Sequence, residues 1–453
     1  MRVRAIVLAA GKGTRMKSAR PKVLHELCGR PMLWYVLRAL RGAGVDDIVV
    51  VTNPELHDRV AEFSVRGIVQ QEQLGTGHAV QVALNELAPQ RDGRVVIAYG
   101  DMPLVHDEIF RGVVGSLESL DGVAPALAMV TVKMPLPSSF GRVIRNGQEV
   151  VRVVEARDAT ADELAVDEMN AGIYAYDEQA LREAAGRLRN DNAQQEYYLT
   201  DTIEDFVRSG RRVVPVMATD HLHVLGINDR VELALARKEM NKRLCAQHMR
   251  DGVTIIDPDA TYLEPELQIG RDTIVYPNTS IGRLSEIGEH CVIGPNARLS
   301  NAKIGERVEV RESVIIDSTL GSDIHVGPFA HLRNNTVLAD RVHIGNFVEV
   351  KNSQLDQGVK AGHLTYLGDA QVGEGTNVGA GTITCNYDGV RKNKTTIGRN
   401  AFIGSNTSLV APVTVGDNAL TGASAVVTKD VGTGERVVGN PARPLRKKEA
   451  DAG

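Results

Sequence analysis

The length, composition and charge of the chain limit what kind of protein it is. At 453 residues it is too long for one compact core, so two or more domains are expected. Its 43% apolar, 24% charged and 4% aromatic residues are ordinary for a globular protein. A net charge of -5 gives no reason to expect a nucleic-acid or membrane partner, and the basic residues 443–448 are interpreted as part of a solvated tail.

The sequence contains no segment that predicts secretion or membrane insertion. The apolar run at residues 5–10 is too short for a signal peptide and predicts a buried strand that ends at a glycine loop. No stretch approaches the roughly 18 apolar residues of a membrane span. Cys28, Cys245, Cys291 and Cys385 lie far apart, without metal-ligand spacing, and are expected to be reduced thiols. We therefore predict a cytoplasmic protein.

The chain up to about residue 227 alternates apolar strands with amphipathic helices. Strands are predicted at residues 3–9, 47–51, 95–99 and 127–132, and a helix at residues 32–42. Such alternation favours a mostly parallel sheet covered on both faces, with ligands beyond the carboxyl ends of the strands.

Residues 229–250 form the longest uninterrupted helical pattern. Asp229 is the expected N-terminal cap, and Gly252 lies just past the predicted end. We interpret this segment as a helix that links two domains, residues 1–228 and 251–453. A surface helix of the first domain is the alternative.

From about residue 251 the chain changes to a period of six residues. A helix or a plain alternating strand would not show this period, whereas a hexapeptide β-helix does, with the aliphatic side chain directed inward on each short strand. The aliphatic positions are Val275, Ile281, Ile287, Ile293, Leu299, Ile304, Val310, Val326, Leu332, Leu338, Ile344, Val350, Val372, Val378, Ile397, Ile403, Leu409 and Val415.

A glycine-rich loop follows the first predicted strand. Two glycines allow backbone N–H groups to approach a phosphate, and Lys12, Arg15 and Lys22 carry positive charge that would neutralise it. Met16 stands where a P-loop or a dinucleotide-binding motif requires a glycine, so both are excluded. By itself, the segment is also compatible with a structural glycine turn.

The glycine loop and several later segments carry a resemblance. The run GKGTRM at residues 11–16, followed by Pro21 and Lys22, resembles the signature of sugar-nucleotide pyrophosphorylases, which have a Rossmann-like nucleotidyltransferase fold. Over nearly its whole length, the chain resembles the bifunctional N-acetylglucosamine-1-phosphate uridyltransferase/glucosamine-1-phosphate N-acetyltransferase family, in which a left-handed parallel β-helix follows that fold. The matching segments are QLGTG at 73–77, YGD at 99–101, FGR at 140–142, Glu155, NAG at 170–172 and GIN at 226–228.

The resemblance implies roles for residues of the first domain. Arg15 and Lys22 would stabilise charge on the phosphates during catalysis, and Asp101 with Asn228 would bind Mg²⁺. Without this context, an aspartate after a strand would be interpreted as a helix cap. Gln70, Gly75 and Thr76 would contact uracil, while Gly141, Glu155 and Asn170 would hold the sugar. The implied UDP-sugar-binding set is Leu8, Ala9, Ala10, Gly11, Lys22, Gln70, Gly75, Thr76, Tyr99, Gly100, Asp101, Gly141, Glu155, Asn170 and Asn228.

In the second domain, the repeat breaks between Val378 and Ile397, where residues 379–394 are predicted to protrude as a loop. Histidine is a suitable general base near neutral pH, and the resemblance assigns that role in acetyl transfer to His363. Where the family usually has a coenzyme-A-binding arginine, this chain has Asn440, with Arg443 three residues further on. The resemblance implies contacts to the sugar phosphate from Arg333, Lys351, Tyr366 and Asn377, and to acetyl-CoA from Ala380, Asn386, Tyr387, Ser405, Ala423 and Asn440.

Three functional hypotheses follow. The first is a homotrimeric enzyme that acetylates glucosamine-1-phosphate with acetyl-CoA, then uridylylates the product with UTP and Mg²⁺ to give UDP-N-acetylglucosamine for bacterial cell-wall and lipopolysaccharide synthesis. The second is a single-activity pyrophosphorylase with a structural or regulatory β-helix. The third is a non-catalytic scaffold, which the intact GKGTRM and YGD segments oppose. The final residues 447–453 are expected to lack order.

Overall fold

The computed structural model describes residues 2–118 and 124–445, and the prediction for the tail at 447–453 lies outside these residues. The chain divides into two compact units, Met1–Arg237 and Lys238–Gly453. Within the described part of the chain, no helix has both the length and the apolar character needed to span a membrane.

The first unit contains a mixed, twisted sheet whose central strands are buried. The strand order is β9-β5-β8-β4-β1-β2-β3, and β6 and β7 form a hairpin beside β8. The strands are β1 Val3–Leu8, β2 Asp47–Thr52, β3 Arg66–Val69, β4 Arg94–Tyr99, β5 Leu127–Lys133, β6 Arg142–Asn146, β7 Glu149–Val154, β8 Glu168–Asp177 and β9 Val213–Met217. The strands predicted from the sequence are confirmed to within a residue or two at each end.

The prediction of a mostly parallel sheet is confirmed, with one strand of the main path running in the opposite direction. The buried strand β8 runs antiparallel to both β4 and β5. Parallel neighbours require a long crossover connection, usually a helix. Here β5 is connected to β8 through the β6–β7 hairpin and only a short helix, Ala161–Leu164, so the chain returns in the opposite direction. The apolar pattern of a strand buried on both faces does not encode its direction.

Helices cover both faces of this sheet. Helices α1 and α4 pack on one face, and α3, α6 and α7 on the other. The helices are α1 Met32–Gly42, α2 Pro54–His57, α3 Thr76–Glu86, α4 Asp107–Gly115, α5 Ala161–Leu164, α6 Glu178–Ala185, α7 Asp201–Arg208 and α8 Arg230–Arg250. Shorter elements are the 3-10 helices Thr14–Met16, Lys22–Leu24, Val60–Phe63, His221–Val224 and Pro258–Ala260 and the strand pair Glu26–Leu27 and Arg30–Pro31.

Helix α8 begins where the sequence predicts it to begin. The Asp229 carboxylate accepts hydrogen bonds from the backbone N–H groups of Val231 and Glu232, at 2.8 and 2.9 Å. These bonds satisfy two of the donors that a helix start leaves without partners, so Asp229 is the cap. The division between the two units falls within this helix.

The second unit is a parallel β-helix built from short stacked strands. The predicted aliphatic positions face inward and are buried throughout the described coils. One inward column pairs in register from Val275 through Ile293, Val310, Val326, Ile344, Ala361, Val378 and Ile403 to Thr421. The six-residue period is therefore confirmed as the repeat of this scaffold.

The strands of the β-helix belong to two sheets, called here sheet I and sheet II. Sheet I contains Thr254–Ile255, Ile274–Val275, Val292–Ile293, Glu309–Val310, His325–Val326, His343–Asn346, Lys360–His363, Asn377–Val378, Phe402–Ile403, Leu420–Thr421, Arg436–Val438 and Arg443–Pro444. Sheet II contains Thr261–Leu263, Gln268–Ile269, Thr279–Ile281, Glu286–Ile287, Arg298–Ile304, Val314–Leu320, His331–Arg333, Thr336–Leu338, Glu349–Lys351, Gln354–Leu355, Tyr366–Gly368, Ala370–Val372, Ile383–Cys385, Thr395–Ile397, Ser408–Val410, Val413–Val415 and Val426–Val427.

The protruding loop is shorter than the sequence predicts. Strand Ile383–Cys385 continues the coil and pairs with Ser408–Val410, so only residues 387–392 leave the scaffold. A hydrogen bond of 2.7 Å from Asn393 N–H to the Asn386 carbonyl closes this loop. The longer loop is wrong because Thr382 and Thr384 are buried in the coil, and Thr384 lies six residues after Val378, where the repeat predicts an aliphatic residue. Their hydroxyls are satisfied by backbone carbonyls of their own or neighbouring coils.

Candidate active sites

Two adjoining cavities open at the carboxyl ends of β1 and β4 in the first unit. They share Tyr99 and Asp101, so a ligand could extend from one into the other. The first, of about 310 Å³, is lined by Leu8, Ala9, Ala10, Gly11, Lys22, Val23, Gln70, Gln73, Gly75, Thr76, Ala79, Tyr99, Asp101 and Glu196. The second, of about 260 Å³, is lined by Arg15, Tyr99, Asp101, Met102, Ser139, Phe140, Gly141, Glu155, Asn170, Ala171, Gly172, Gly226 and Asn228.

Charged and amide groups converge where the two cavities meet. The Lys22 ammonium forms a close ion pair with the Asp101 carboxylate and also contacts Asn228 Oδ1 at 3.2 Å. Arg15 Nη2 donates to the same Asn228 oxygen at 2.8 Å. The structure thus brings together four of the five residues predicted for phosphate and metal binding, although they are far apart in sequence. The fifth, Lys12, is exposed and lines neither cavity.

Two glycines with positive φ make this convergence sterically feasible. Gly13 has φ 60°, and a Cβ there would lie 2.7 Å from Lys22 Cβ. Gly172 has φ 75°, and a Cβ there would lie 2.5 Å from the ring of Tyr99. Any larger residue at either position would displace a side chain that lines the cavities.

The first cavity contains amide and hydroxyl groups held in fixed positions. Gln70 Nε2 donates to the Gly75 carbonyl at 3.2 Å, and Thr76 Oγ1 accepts from Leu199 N–H at 3.1 Å. Gln73 and Glu196 also line this cavity. Sequence reasoning did not assign them, although Gln73 opens one of the matched segments. The predicted residue Gly100 lines neither cavity; a Cβ there would meet Leu33 and Ala9.

The second cavity contains the three residues predicted to hold a sugar. Asn170 Nδ2 donates to the Tyr174 hydroxyl at 2.6 Å, and Gly141 and Glu155 line the wall. The Glu155 carboxylate accepts from Thr200 Oγ1 at 3.2 Å. Burial, together with the negative charges of Asp158 and Glu196, raises the pKa of Glu155 above its ordinary value.

The raised pKa of Glu155 leads to a testable stability prediction. A group whose pKa is raised on folding contributes stability at low pH that is lost as the pH rises through the folded-state pKa. Glu155→Gln should therefore increase the free energy of unfolding at pH 7–8, and the gain should vanish below the ordinary glutamate pKa of about 4.3. Thermal melts of both proteins at several pH values measure this difference. Equal destabilisation at every pH would contradict it.

The second unit contains one polar cluster on sheet II. Arg333 pairs in register with Lys351, and Tyr366 lies on the next strand of the same stack. Asn386 Nδ2 contacts the Tyr366 hydroxyl at 3.4 Å, and Arg333 Nη2 donates to Glu349 at 2.6 Å.

Lys392, on the protruding loop, also belongs to this polar cluster. A side-chain hydrogen bond with Lys351, together with the positive charge of Lys351, lowers the pKa of Lys392. Sequence reasoning missed this lysine because its proximity depends on how the loop folds back.

A second set of predicted residues forms a column on sheet I. His363, Ala380, Ser405 and Ala423 each lie two residues beyond Ala361, Val378, Ile403 and Thr421, which pair in register. His363 Nδ1 contacts Asn346 Oδ1 on the preceding coil at 2.6 Å. Sequence reasoning did not include Asn346.

The other predicted residues of this unit lie outside the polar cluster and the column. Asn377 pairs with Lys360 and Phe402 on sheet I. Tyr387 is exposed on the loop, where its hydroxyl donates to the Gly389 carbonyl at 2.7 Å. Asn440 is exposed just after strand Arg436–Val438. Within one chain, His363 ends a strand of sheet I, whereas Arg333 and Lys351 lie on strands of sheet II.

Three domain families match parts of the chain. Residues 5–164 match the MobA-like NTP transferase domain, which covers the glycine loop and most of the first sheet. Residues 259–355 match the GMPPB C-terminal domain, and residues 394–429 match the six-repeat bacterial transferase hexapeptide family.

Several curated proteins are similar over almost the whole chain. The Bifunctional protein GlmU of Acetivibrio thermocellus is 43% identical over 431 residues, which cover 94% of this chain and 92% of that protein. The proteins of the same name from Trichlorobacter lovleyi and Streptococcus agalactiae are 45% and 44% identical, each covering 94% of this chain and 93% of the relative. At this identity and coverage, the chain belongs to the GlmU family of bifunctional proteins.

Proposed function

We propose that this chain catalyses two reactions of UDP-N-acetylglucosamine synthesis, one in each unit. The second unit acetylates glucosamine-1-phosphate with acetyl-CoA, and the first transfers UMP from UTP to N-acetylglucosamine-1-phosphate, releasing pyrophosphate. The observation that carries the proposal is the presence of two separate polar sites in a chain that aligns with bifunctional relatives over 94% of its length.

The geometry of the first unit suits uridylyl transfer. A phosphate oxygen of the sugar must attack the α-phosphorus of UTP, a step that depends on positioning and charge neutralisation. The nucleotide would occupy the cavity of Gln70 and Thr76, and the sugar the cavity of Glu155 and Asn170. The reacting phosphates would then meet beside Lys22, where Arg15 also lies close.

The donor groups at this junction fit Mg²⁺. The Asp101 carboxylate and the Asn228 amide oxygen both point at the position of the Lys22 ammonium, so hard oxygen donors already converge on a cation. Two protein ligands are enough because Mg²⁺ retains waters and takes phosphate oxygens. When bound, the ion would neutralise charge on the phosphates.

The second unit contains the groups that acetyl transfer needs. The sugar amine attacks the thioester carbonyl carbon, the C–S bond breaks and the coenzyme A thiolate leaves. His363 Nε2 would take the proton that the amine loses, while Arg333 and Lys351 bind the sugar phosphate. The small residues of the His363 column would leave room for acetyl-CoA beside them.

We further propose that the chain forms a homotrimer, in which a neighbour completes the acetyltransferase site. Phe329, Phe347 and Leu364, called here the apolar corner, occupy one corner of three successive coils with φ near +60° and more than half exposed. Bulky residues rarely adopt this conformation, and other coils have asparagine there, such as Asn278 and Asn406. A neighbour covering the apolar corner would lie against His363, which directly precedes Leu364.

The apolar corner gives a prediction with two opposite effects. Phe347→Asn should relieve backbone strain, because asparagine adopts positive φ more readily, yet it should weaken assembly by removing a large apolar side chain. Sedimentation equilibrium should show a shift toward monomer, and acetyl transfer should fall with it. Asn278→Ser, at the same corner of an earlier coil, is the matched control and should leave the trimer unchanged. An unaltered association constant for Phe347→Asn would contradict the proposed interface.

The direct test of the proposed function is to assay the purified protein for both half-reactions, with Mg²⁺ and with a chelator. Both activities are expected, and chelation should abolish uridylyl transfer. Uridylyl transfer without acetyl transfer would instead support the single-activity pyrophosphorylase. The cytoplasmic location stays a prediction, as does the role of Asn440 toward coenzyme A.

A further inference from the structure

We propose that Asn346 is the positioning residue that sets the tautomer and orientation of the His363 ring. This inference rests on the proposed role of His363 as the general base. The relevant observation is the side-chain contact of 2.6 Å between Asn346 Oδ1 and His363 Nδ1.

The scaffold holds these two side chains opposite each other. Strand His343–Asn346 pairs in parallel with Lys360–His363, and the register places Asn346 directly against His363. The contact is reinforced by the backbone, because Leu364 N–H donates to the Asn346 carbonyl at 3.0 Å. A Cβ on the preceding residue, Gly345, would overlap the Gly362 carbonyl, so the two strands approach as closely as glycine permits. The pair therefore lies on a rigid part of the β-helix.

The chemistry of the contact assigns the proton. An amide oxygen can only accept a hydrogen bond, so Nδ1 must carry the hydrogen when the imidazole is neutral. The lone pair then resides on Nε2, on the opposite side of the ring, where it is available to take a proton. The column neighbour on the other side of His363 is Ala380, which has no side-chain group that could bind Nε2.

Other charged groups surround this part of sheet I. Lys360 and His343 lie on the same two strands, and the rings of His325 and His343 stack at a centroid distance of 5.1 Å. His325 Nδ1 in turn contacts Glu309 at 2.8 Å. Apart from Glu309, these groups are basic, and none carries an acceptor oxygen beside the His363 ring. Among the described residues, the side chain hydrogen-bonded to the His363 ring is thus a neutral amide and not a carboxylate.

Two substitutions test the assignment through the pH profile. Asn346→Asp places a carboxylate on Nδ1 and stabilises the imidazolium, so the acidic limb of kcat/KM for acetyl transfer should move up by roughly 1–3 pH units. Asn346→Ala removes the hydrogen-bond acceptor and should lower kcat by about 10-fold. This loss is smaller than the roughly 10²–10⁴-fold that a general base contributes, because His363 itself remains. Asn418→Asp makes the same amide-to-acid change at an exposed corner outside the His363 column and should leave the profile unchanged.

A spectroscopic measurement separates this proposal from the proposed function. In protein labelled with ¹⁵N-histidine, the His363 resonances, identified by their loss in His363→Gln, should show a protonated Nδ1 and an unprotonated Nε2. Asn346→Ala should give averaged shifts from both tautomers. An Nε2-protonated ring in the unsubstituted protein, or an unmoved acidic limb in Asn346→Asp, would overturn the inference. If acetyl transfer survives His363→Ala, the role of His363 fails instead, and the tautomer result still tests Asn346.

Discussion

Asp101→Asn should lower uridylyl transfer by about 10²–10³-fold, because it removes the only carboxylate that contacts Lys22 among the described residues. A bound metal ion supplies several kcal/mol of charge stabilisation to phosphoryl chemistry, and each 1.36 kcal/mol is worth about tenfold in rate. Asparagine retains the shape and an oxygen donor but loses the negative charge. A coupled assay of pyrophosphate release measures the rate, and acetyl transfer by the same protein should stay within about twofold of the unsubstituted chain.

The same substitution should change the response to the metal. With the carboxylate lost, the Mg²⁺ concentration that gives half-maximal rate should rise, which distinguishes a metal ligand from a residue that merely orders the loop. Asp47→Asn is the matched control: Asp47 also pairs with a basic residue, Arg4, but at the opposite, amino end of the sheet strands. If Asp101→Asn and Asp47→Asn had equally small effects, the assigned metal site would be wrong.

The sequence predicted four of the nine strands described in the first unit's sheet, and its mostly parallel arrangement. Helix Met32–Gly42 and the strand starting at Val3 lie where predicted, since apolar periodicity depends on local burial. The antiparallel direction of Glu168–Asp177 could not be read from the same pattern, because a strand buried on both faces is apolar in either direction. Its direction follows from the preceding hairpin.

In the β-helix, the sequence predicted which residues are buried but not which side chains contact each other. Inward positions such as Ile344 and Val350 were predictable because the repeat fixes them. The roles of Asn346 and Lys392 could not be predicted, because the side chains they contact lie on another coil or across a loop. No sequence motif links residues at such separations. Thr384 is a further case: a buried threonine satisfied by a carbonyl of another coil occupies a position where the period predicts an aliphatic residue. In a β-helix, the groups that contact a functional side chain lie on adjacent coils, and only the pairing register of the strands identifies them.

The predicted residues of the second site lie on both sheets of the β-helix. His363 belongs to a column of small residues on sheet I, whereas Arg333 and Lys351 stack on sheet II. In the proposed homotrimer, a neighbouring copy would bring a second set of these residues to the site. If so, acetyl transfer should depend on protein concentration at the low end of the assay range, whereas uridylyl transfer should not.

His363→Ala should lower acetyl transfer by roughly 10²–10⁴-fold, because no other group would remove the amine proton during attack on the thioester. Uridylyl transfer should be unaffected, since His363 lies on the β-helix and the uridylyl cavities lie in the first unit. His290→Ala is the matched control, as His290 is an exposed histidine on an earlier coil of the same β-helix. Monitoring free thiol from coenzyme A gives the rate for each variant.

The pH dependence and chemical rescue make this test specific to base catalysis. The remaining activity of His363→Ala should lose the acidic limb that a histidine base would give to the pH profile of acetyl transfer. Added imidazole should restore part of the rate, because the alanine leaves space where the ring stood and Asn346 Oδ1 remains there to accept from the added base. A protein that keeps near-normal acetyl transfer without His363 would require a different proton acceptor, and the assignment of this histidine would be withdrawn.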